Sequence, residues 1–494
     1  MNYVSTRSGN VSPVTSAEAI KRGLAPDGGL YMPTSIPTLT GEELGAMLGM
    51  SYPERAVHML RKFLTDYTDE ELLADCEAAY GEDRFPGGAA PIRDIDGRVT
   101  ALELWHGPTC AFKDMALQIM PRLLSRALGK TGESRTALIL VATSGDTGKA
   151  ALEGYRDVAQ TKIKVFYPVD GVSRVQKMQM MTQGGANVDV TAIRGNFDDA
   201  QTGVKAIFSS ADTARELDAR GVFLSSANSI NWGRLVPQIV YYVSAYCDML
   251  NSGRIVKGEL LDVCVPTGNF GNIFAAYIAK KMGVPLGTLI CASNRNHVLT
   301  DFLESGVYDR NRTFFSTISP SMDILISSNL ERLLYLEFGS ERCAQLMREL
   351  NASGRYALTE AELNVIRAHF VGYYCDEEKT RDALRTSYKQ HGYLADTHTA
   401  VGYGAALAYL AETDSTHRVL LASTASPYKF ACDVYEALTD TPATDELSAL
   451  DELARETGVP VPAPLADIGR REVRFTDVID AAQMTETTLA FADR

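Results

Sequence analysis

Lys113 stands in the run Phe112-Lys113-Asp114, followed by Met115-Ala116-Leu117-Gln118-Ile119, which has helical character up to an expected kink at Pro121. This spacing puts the lysine at a helix N-terminus, with Asp114 as the expected cap. The positive end of a helix and partial burial both disfavour an ammonium, so they free the amine as a nucleophile. A lone lysine is ordinarily a solvated surface group. The neighbours argue otherwise here. The turn His106-Gly107-Pro108-Thr109 lies just before it, and Ala111-Phe112 and Met115-Ala116-Leu117 flank it with apolar side chains.

A second feature lies downstream. Leu261-Asp262-Val263-Cys264-Val265-Pro266 runs into Thr267-Gly268-Asn269-Phe270-Gly271-Asn272 and then into Ile273-Phe274-Ala275-Ala276-Tyr277-Ile278, the pattern of strand, loop and helix. The N–H groups of such a loop point at whatever sits over the helix N-terminus, which favours an anion and commonly a phosphate. An amine nucleophile and a phosphate cradle together fit a phosphorylated cofactor that carries an aldehyde. Two nucleotide motifs fail. Gly268 and Gly271 do not supply the glycine spacing of a dinucleotide fingerprint. Ser144-Gly145-Asp146-Thr147-Gly148-Lys149-Ala150 imitates a P-loop, but Thr143 stands where the first glycine belongs and Ala150 where magnesium needs a hydroxyl.

The elements that must position these loops follow a βα rhythm. Strands are expected over 136–142, 163–167, 188–193, 222–224, 261–265, 288–291 and 419–422. Helices are expected over 149–155, 173–181, 232–250 and 427–438. Such alternation implies a parallel sheet covered on both faces, with ligands at the carboxyl ends of the strands, where the chemically suggestive loops sit. Residues 1–95 show little of this rhythm and read as a separate N-terminal domain. The catalytic region is expected over 96–440, with 321–394 as a helical lobe, and 441–494 as a peripheral C-terminal segment.

A net charge of −14 argues against a nucleic-acid or anionic-membrane partner, so an anionic substrate needs a local basic pocket. The eight cysteines, at 76, 110, 247, 264, 291, 343, 375 and 432, contain no C-x-x-C pair. That scatter gives neither a metal site nor a disulfide framework, and with no apolar leader or spanning stretch the expectation is a cytoplasmic protein. Cys110 reads as a small buried filler.

The run Trp105-His106-Gly107-Pro108-Thr109-Cys110-Ala111-Phe112-Lys113-Asp114 resembles the cofactor-lysine motif of the threonine synthases, which are pyridoxal-phosphate enzymes of fold type II. Gly23-Leu24-Ala25-Pro26-Asp27-Gly28-Gly29-Leu30-Tyr31 resembles that family's N-terminal domain. Ala142 to Gly148, Asn228-Ser229-Ile230-Asn231-Trp232, Pro266 to Asn272, Pro320-Ser321-Met322-Asp323-Ile324 and Ser423 to Phe430 resemble its later motifs, in the family's order. Thr397 departs from the proline usual at its place, and Arg7-Ser8-Gly9 from a more usual Arg-Gly.

The resemblance implies an α/β fold of two parallel-sheet lobes with a small N-terminal domain. It implies a lyase that makes L-threonine and phosphate from O-phospho-L-homoserine and water, as monomer or homodimer. Lys113 would form the Schiff base with pyridoxal phosphate, and Gly268, Asn269, Phe270, Gly271 and Asn272 would cradle the cofactor phosphate. Thr424 would face the pyridine nitrogen, and Thr143, Ser144 and Thr147 would grip the substrate carboxylate. Asp146 beside two anions is in tension with that role, so it is read as a helix cap outside the catalytic set. With Lys113 as the base, His106 and His398 are read as supporting residues. Arg174, Lys177, Arg234 and Arg295 remain open as ligands of the substrate phosphate.

Overall fold

The apolar runs sort into two parallel sheets in this computed structural model, which describes residues 1–143, 145–170 and 172–494. The larger sheet orders its strands Phe370–Tyr374, Leu286–Ser293, Leu261–Pro266, Arg418–Ser423, Val99–Glu103 and Ile92–Asp94. Its neighbours run parallel except for the last, which is antiparallel. The smaller sheet, parallel throughout, orders Val478–Asp480, Val188–Arg194, Thr161–Pro168, Thr136–Ala142 and Val222–Ser225.

Helices cover both faces, which is why the central strands are continuously apolar rather than alternating. Every residue of Leu261–Pro266 is buried. The polar exception, Asp262, is satisfied by Tyr409 Oη at 2.9 Å, Ser415 Oγ at 2.8 Å and the Thr288 N–H at 2.7 Å. At the N-terminus, Tyr3–Ser5 pairs antiparallel with Tyr31–Pro33. Trp232, which opens the long helix Trp232–Asn251, packs between Tyr3 and Phe63 with ring centroids 5.6 and 5.8 Å away. That contact joins the N-terminal elements to the helix that carries Arg234.

Three expectations are corrected. The stretch 321–394 is not purely helical, because Phe370–Tyr374 within it is the edge strand of the larger sheet. Its glycine hides the pattern, and the structure explains it: a β-carbon at Gly372 would lie 2.8 Å from Cα of Thr300 on the covering helix. The C-terminal segment is more than peripheral. Val478–Asp480 adds an edge strand beside Ala192 to Arg194, and Met484–Ala492 packs Met484 against Leu140 and Phe166. Pro121 does not kink one helix but opens a second, Met120–Lys130, where its missing N–H costs nothing.

Candidate active site

Lys113 lies in a turn stitched to the end of the strand Arg418–Ser423. The Phe112 N–H donates to the Thr424 carbonyl at 2.8 Å, and the Ser426 N–H to the Cys110 carbonyl at 3.0 Å. Cys110 itself has a left-handed φ of 59°, and burial pushes its thiol up to about 12, so it is an inert filler. Lys113 directly precedes the short helix Asp114–Leu117. Asp114 does not cap that helix. Its carboxylate turns back to accept the Thr109 N–H at 2.8 Å and Thr109 Oγ1 at 2.7 Å, closing the preceding turn. With only one helical turn ahead of it, Lys113 gains little from a macrodipole, and burial is the main cause that lowers its proton affinity.

The Lys113 amine is only 9% exposed. Its Nζ lies 3.6 Å from Asp146 Oδ2 and 3.4 Å from Ser321 Oγ. The other Asp146 oxygen, Oδ1, accepts from Lys429 Nζ and Gln176 Nε2, each at 2.8 Å. Burial alone would raise the Asp146 carboxyl, but Lys429 and Lys113 outweigh it and hold the group well below its ordinary range. The cap assigned to Asp146 from sequence is therefore corrected. Gly145, at φ 140°, takes the cap position, and Asp146 turns its carboxylate inward as the anion between two lysines. Gln176, Ser321 and Lys429 were not selected from sequence. The available signal was the place of Lys429, five residues past Thr424 in the same strand-exit loop.

The loop Gly268 to Asn272 carries the donors that the sequence suggested. Phe270 adopts φ 63° and the helix Gly271–Lys281 starts behind it, with no side-chain cap among the described residues. Its first N–H groups are thus left for a ligand. Asn272 Oδ1 accepts from Tyr241 Oη at 2.8 Å and also from Tyr242, while its Nδ2 is buried without a hydrogen-bond partner among the described residues. A β-carbon at Gly268 would sit 2.7 Å from the Ser321 carbonyl oxygen. Asn269 is held by Asn329, whose N–H and Nδ2 both reach its carbonyl at 3.0 Å.

Thr424 is buried, its N–H donating to Thr399 Oγ1 at 3.3 Å. Thr143 Oγ1 accepts the N–H groups of Gly145 at 3.0 Å and Gly148 at 2.9 Å, so it shapes the loop it opens. Thr147 lies half-buried in the first turn of Asp146–Tyr155, and Ser144 lies outside the described residues. His106 stacks on Trp105 and faces Glu103 at 2.8 Å. Among the four basic candidates, Arg174 is exposed beside Asp445, Lys177 donates to the Val169 carbonyl, and the exposed Arg295 covers the Phe315 ring at 3.9 Å. Arg234 differs. It is 6% exposed, donates to the Ala227 carbonyl at 2.9 Å, and has no carboxylate partner among the described residues. Burial brings it down to about 10, and its charge is close enough to lower the proton affinity of Lys113.

Ser321 thus lies between the buried amine, 3.4 Å from its Oγ, and Gly268 of the loop that precedes the helix Gly271–Lys281. Residues 90–425, which hold all of these groups, match the fold-type-II family described as "Pyridoxal-phosphate dependent enzyme". Residues 2–80 match "Threonine synthase N terminus" and residues 399–488 match "Threonine synthase, C-terminal". The chain belongs to the threonine synthase family. It is 38% identical to the threonine synthase of Pseudomonas aeruginosa over 96% of this chain and 95% of that protein. It is 42% identical to threonine synthase-like 1 of Homo sapiens over 87% of this chain, and spans only 58% of that protein's length. The crystal structure of pyridoxal-phosphate-bound threonine synthase from Brucella melitensis superposes with a TM-score of 0.89 at 36% identity, each chain covered fully at 100%. That of the yeast threonine synthase gives 0.89 at 30% identity, covering 99% of this chain and 98% of the other. The residues present fit the cofactor: Asn272 Nδ2, without a partner among the described residues, and the uncapped first turn of Gly271–Lys281 suit its phosphate.

Proposed function

We propose that the chain converts O-phospho-L-homoserine and water to L-threonine and phosphate, a carbon–oxygen lyase reaction that ends threonine biosynthesis. The observation that carries this reading is the pair of anion sites around one amine. The Gly268 to Asn272 loop suits a cofactor phosphate, and Arg234, which meets no carboxylate among the described residues, suits a second phosphate on the substrate. A buried cation without a counter-ion is costly, so an anionic ligand is the natural partner of Arg234.

When bound, the cofactor supplies an electron sink that makes protons on substrate carbons labile. Lys113 Nζ takes a proton from the α-carbon and then one from the β-carbon, and a proton is returned to the γ-carbon once phosphate has left. Burial lowers the proton affinity of this amine, which suits an acid–base group that must both accept and release protons. Thr424 faces the cofactor ring with a neutral hydroxyl. Thr143, Ser144 and Thr147 hold the substrate carboxylate, and Arg234 holds the departing phosphate. Ser321, tied down beside Lys113, helps to exclude water until the β-carbon is ready to receive it. The eight free thiols support a reducing cytoplasmic setting. Among the described residues no helix is long and apolar enough to cross a membrane.

Reaction in heavy-oxygen water tests this reading. The label is expected on the threonine hydroxyl, with the released phosphate unlabelled because the C–O bond breaks. Label in the phosphate would mean attack at phosphorus. If 2-oxobutyrate and ammonia dominate, the enzyme is a simple eliminating lyase on the same site.

A further inference from the structure

We propose that Lys429 is a positioning residue: by holding one oxygen of Asp146, it presents the other to the Lys113 amine as the anion that shares that amine's proton. The proposal rests on the reading of Lys113 as the cofactor-bearing lysine. It goes beyond that reading by assigning work to two buried groups the reaction scheme leaves unused.

The geometry is specific. The Lys429 side chain is fully buried, and its three donors meet three acceptors: Asp146 Oδ1 at 2.8 Å, the Thr109 carbonyl at 3.0 Å and Gln179 Oε1 at 3.2 Å. It is therefore fixed in place. Gln176 Nε2 completes the hold on Oδ1, so Oδ2 is left facing Lys113 at 3.6 Å. Three segments carry the three charges: the turn at Lys113, the first turn of Asp146–Tyr155, and the short helix Pro427–Phe430. A structural ion pair alone needs only Asp146 and Lys429. The third charge at the end of the row belongs to the reacting amine.

The net effect on Lys113 is a balance. Asp146 favours a proton on the amine, whereas Lys429 beyond it and Arg234 from the Trp232–Asn251 helix oppose one. The other ionisable groups nearby are otherwise engaged. Asp114 faces Thr109, Lys149 faces Glu153, the Cys110 thiol is buried and neutral, and His398 reaches the site only through the Ser321 backbone. Asp146 and Lys429 are thus the two charges that can be altered with opposite expected signs.

The test is a spectrophotometric pH titration of the holo-protein, reading the absorbance of the lysine-bound cofactor. Asp146→Asn should lower the midpoint by about 1–3 pH units, the usual effect of an opposite charge at this range. Lys429→Met removes an opposing charge but also the hold on Oδ1. It should therefore raise the midpoint less in the wild-type background than in the Asp146→Asn background, where no carboxylate remains to be presented. Gln176→Leu removes the second donor to Oδ1 without changing charge and should lower the midpoint slightly, which keeps the proposal testable if the Lys429 variant fails to fold. An unmoved midpoint in Asp146→Asn, or an equal rise from Lys429→Met in both backgrounds, overturns the proposal. Borohydride reduction keeps the underlying reading separate. A pyridoxyl mass on the Lys113 peptide upholds it, and a mass on another lysine overturns that reading whatever the midpoints do.

Discussion

The backbone N–H of Ser321 donates to Nε2 of His398 at 3.1 Å, while Nδ1 of the same ring faces Asp396 Oδ2 at 2.8 Å. That arrangement assigns the ring proton to Nδ1 and leaves Nε2 as the acceptor. The histidine thus holds the loop that carries Ser321. The same loop is pinned further along, where Asp323 accepts from Asn294 Nδ2 at 2.8 Å and Asn296 Nδ2 at 2.9 Å.

His398→Ala removes the acceptor for the Ser321 N–H and leaves Asp396 with one donor fewer in a buried place. A cost of about 1–3 kcal/mol in unfolding free energy is expected. Because Ser321 lines the lysine pocket, kcat should fall by more than KM rises. Urea unfolding and steady-state kinetics on one preparation check both statements. An intact kcat would show that the loop position does not matter to the chemistry.

The two glycines of the cradle should behave differently on substitution. A β-carbon at Gly268 meets the Ser321 backbone oxygen at 2.7 Å, which cannot yield without moving the loop over Lys113. At Gly271 the nearest atom is Asn329 Nδ2 at 3.3 Å, the end of a side chain. Gly268→Ala should therefore weaken cofactor binding by tenfold or more, whereas Gly271→Ala, which has only to shift the Asn329 amide that holds the Asn269 carbonyl, should weaken it less. Cofactor titration by fluorescence distinguishes them, and equal affinities would remove Gly268 from the cradle.

Asp114 gives stability a definite pH dependence. Burial pushes its carboxyl from the ordinary 3.8 up to about 6, against the two hydrogen bonds from Thr109. Between those values the folded chain binds a proton that the unfolded chain has lost. The contribution of this group therefore falls as pH rises from about 4 to about 6 and levels off above, in all by about 3 kcal/mol. Asp114→Asn removes the titration. Its stability relative to wild type should improve steadily across that window, and a gap between the two urea midpoints that stays constant with pH would rule the assignment out.

Much of this architecture was legible because long apolar runs announce buried parallel strands. Thr136–Ala142 and Leu261–Pro266 are readable from composition alone. Of the edge strands, Val222–Ser225 was readable and two others were not. Phe370–Tyr374 is short, half-buried and interrupted by Gly372, and Val478–Asp480 is too brief to show a period. The cradle was readable because glycine and a following helix are local signals. The Asp146–Lys429 pair was not, since its partners lie 283 positions apart and meet only through the fold. Local sequence placed Asp146 at a helix start and therefore favoured a cap. The nearby cations that make an inward carboxylate tolerable come from elsewhere in the chain.

Arg234 should show opposite effects on stability and on function. It is buried with one hydrogen bond and no carboxylate partner among the described residues, so in the free protein its charge is a burden. Arg234→Met keeps most of the volume and removes the charge, so unfolding without substrate should need as much urea as wild type or more. With O-phospho-L-homoserine the order should reverse. Losing charge-assisted bonds of about 1.5–3 kcal/mol should raise KM by roughly tenfold to a hundredfold, while the cofactor stays bound. Inorganic phosphate should protect the wild type against thermal unfolding and fail to protect the variant. If the variant instead loses its cofactor while KM for the remaining active fraction is unchanged, Arg234 serves the cofactor phosphate, and the substrate's anion must be held by another cation.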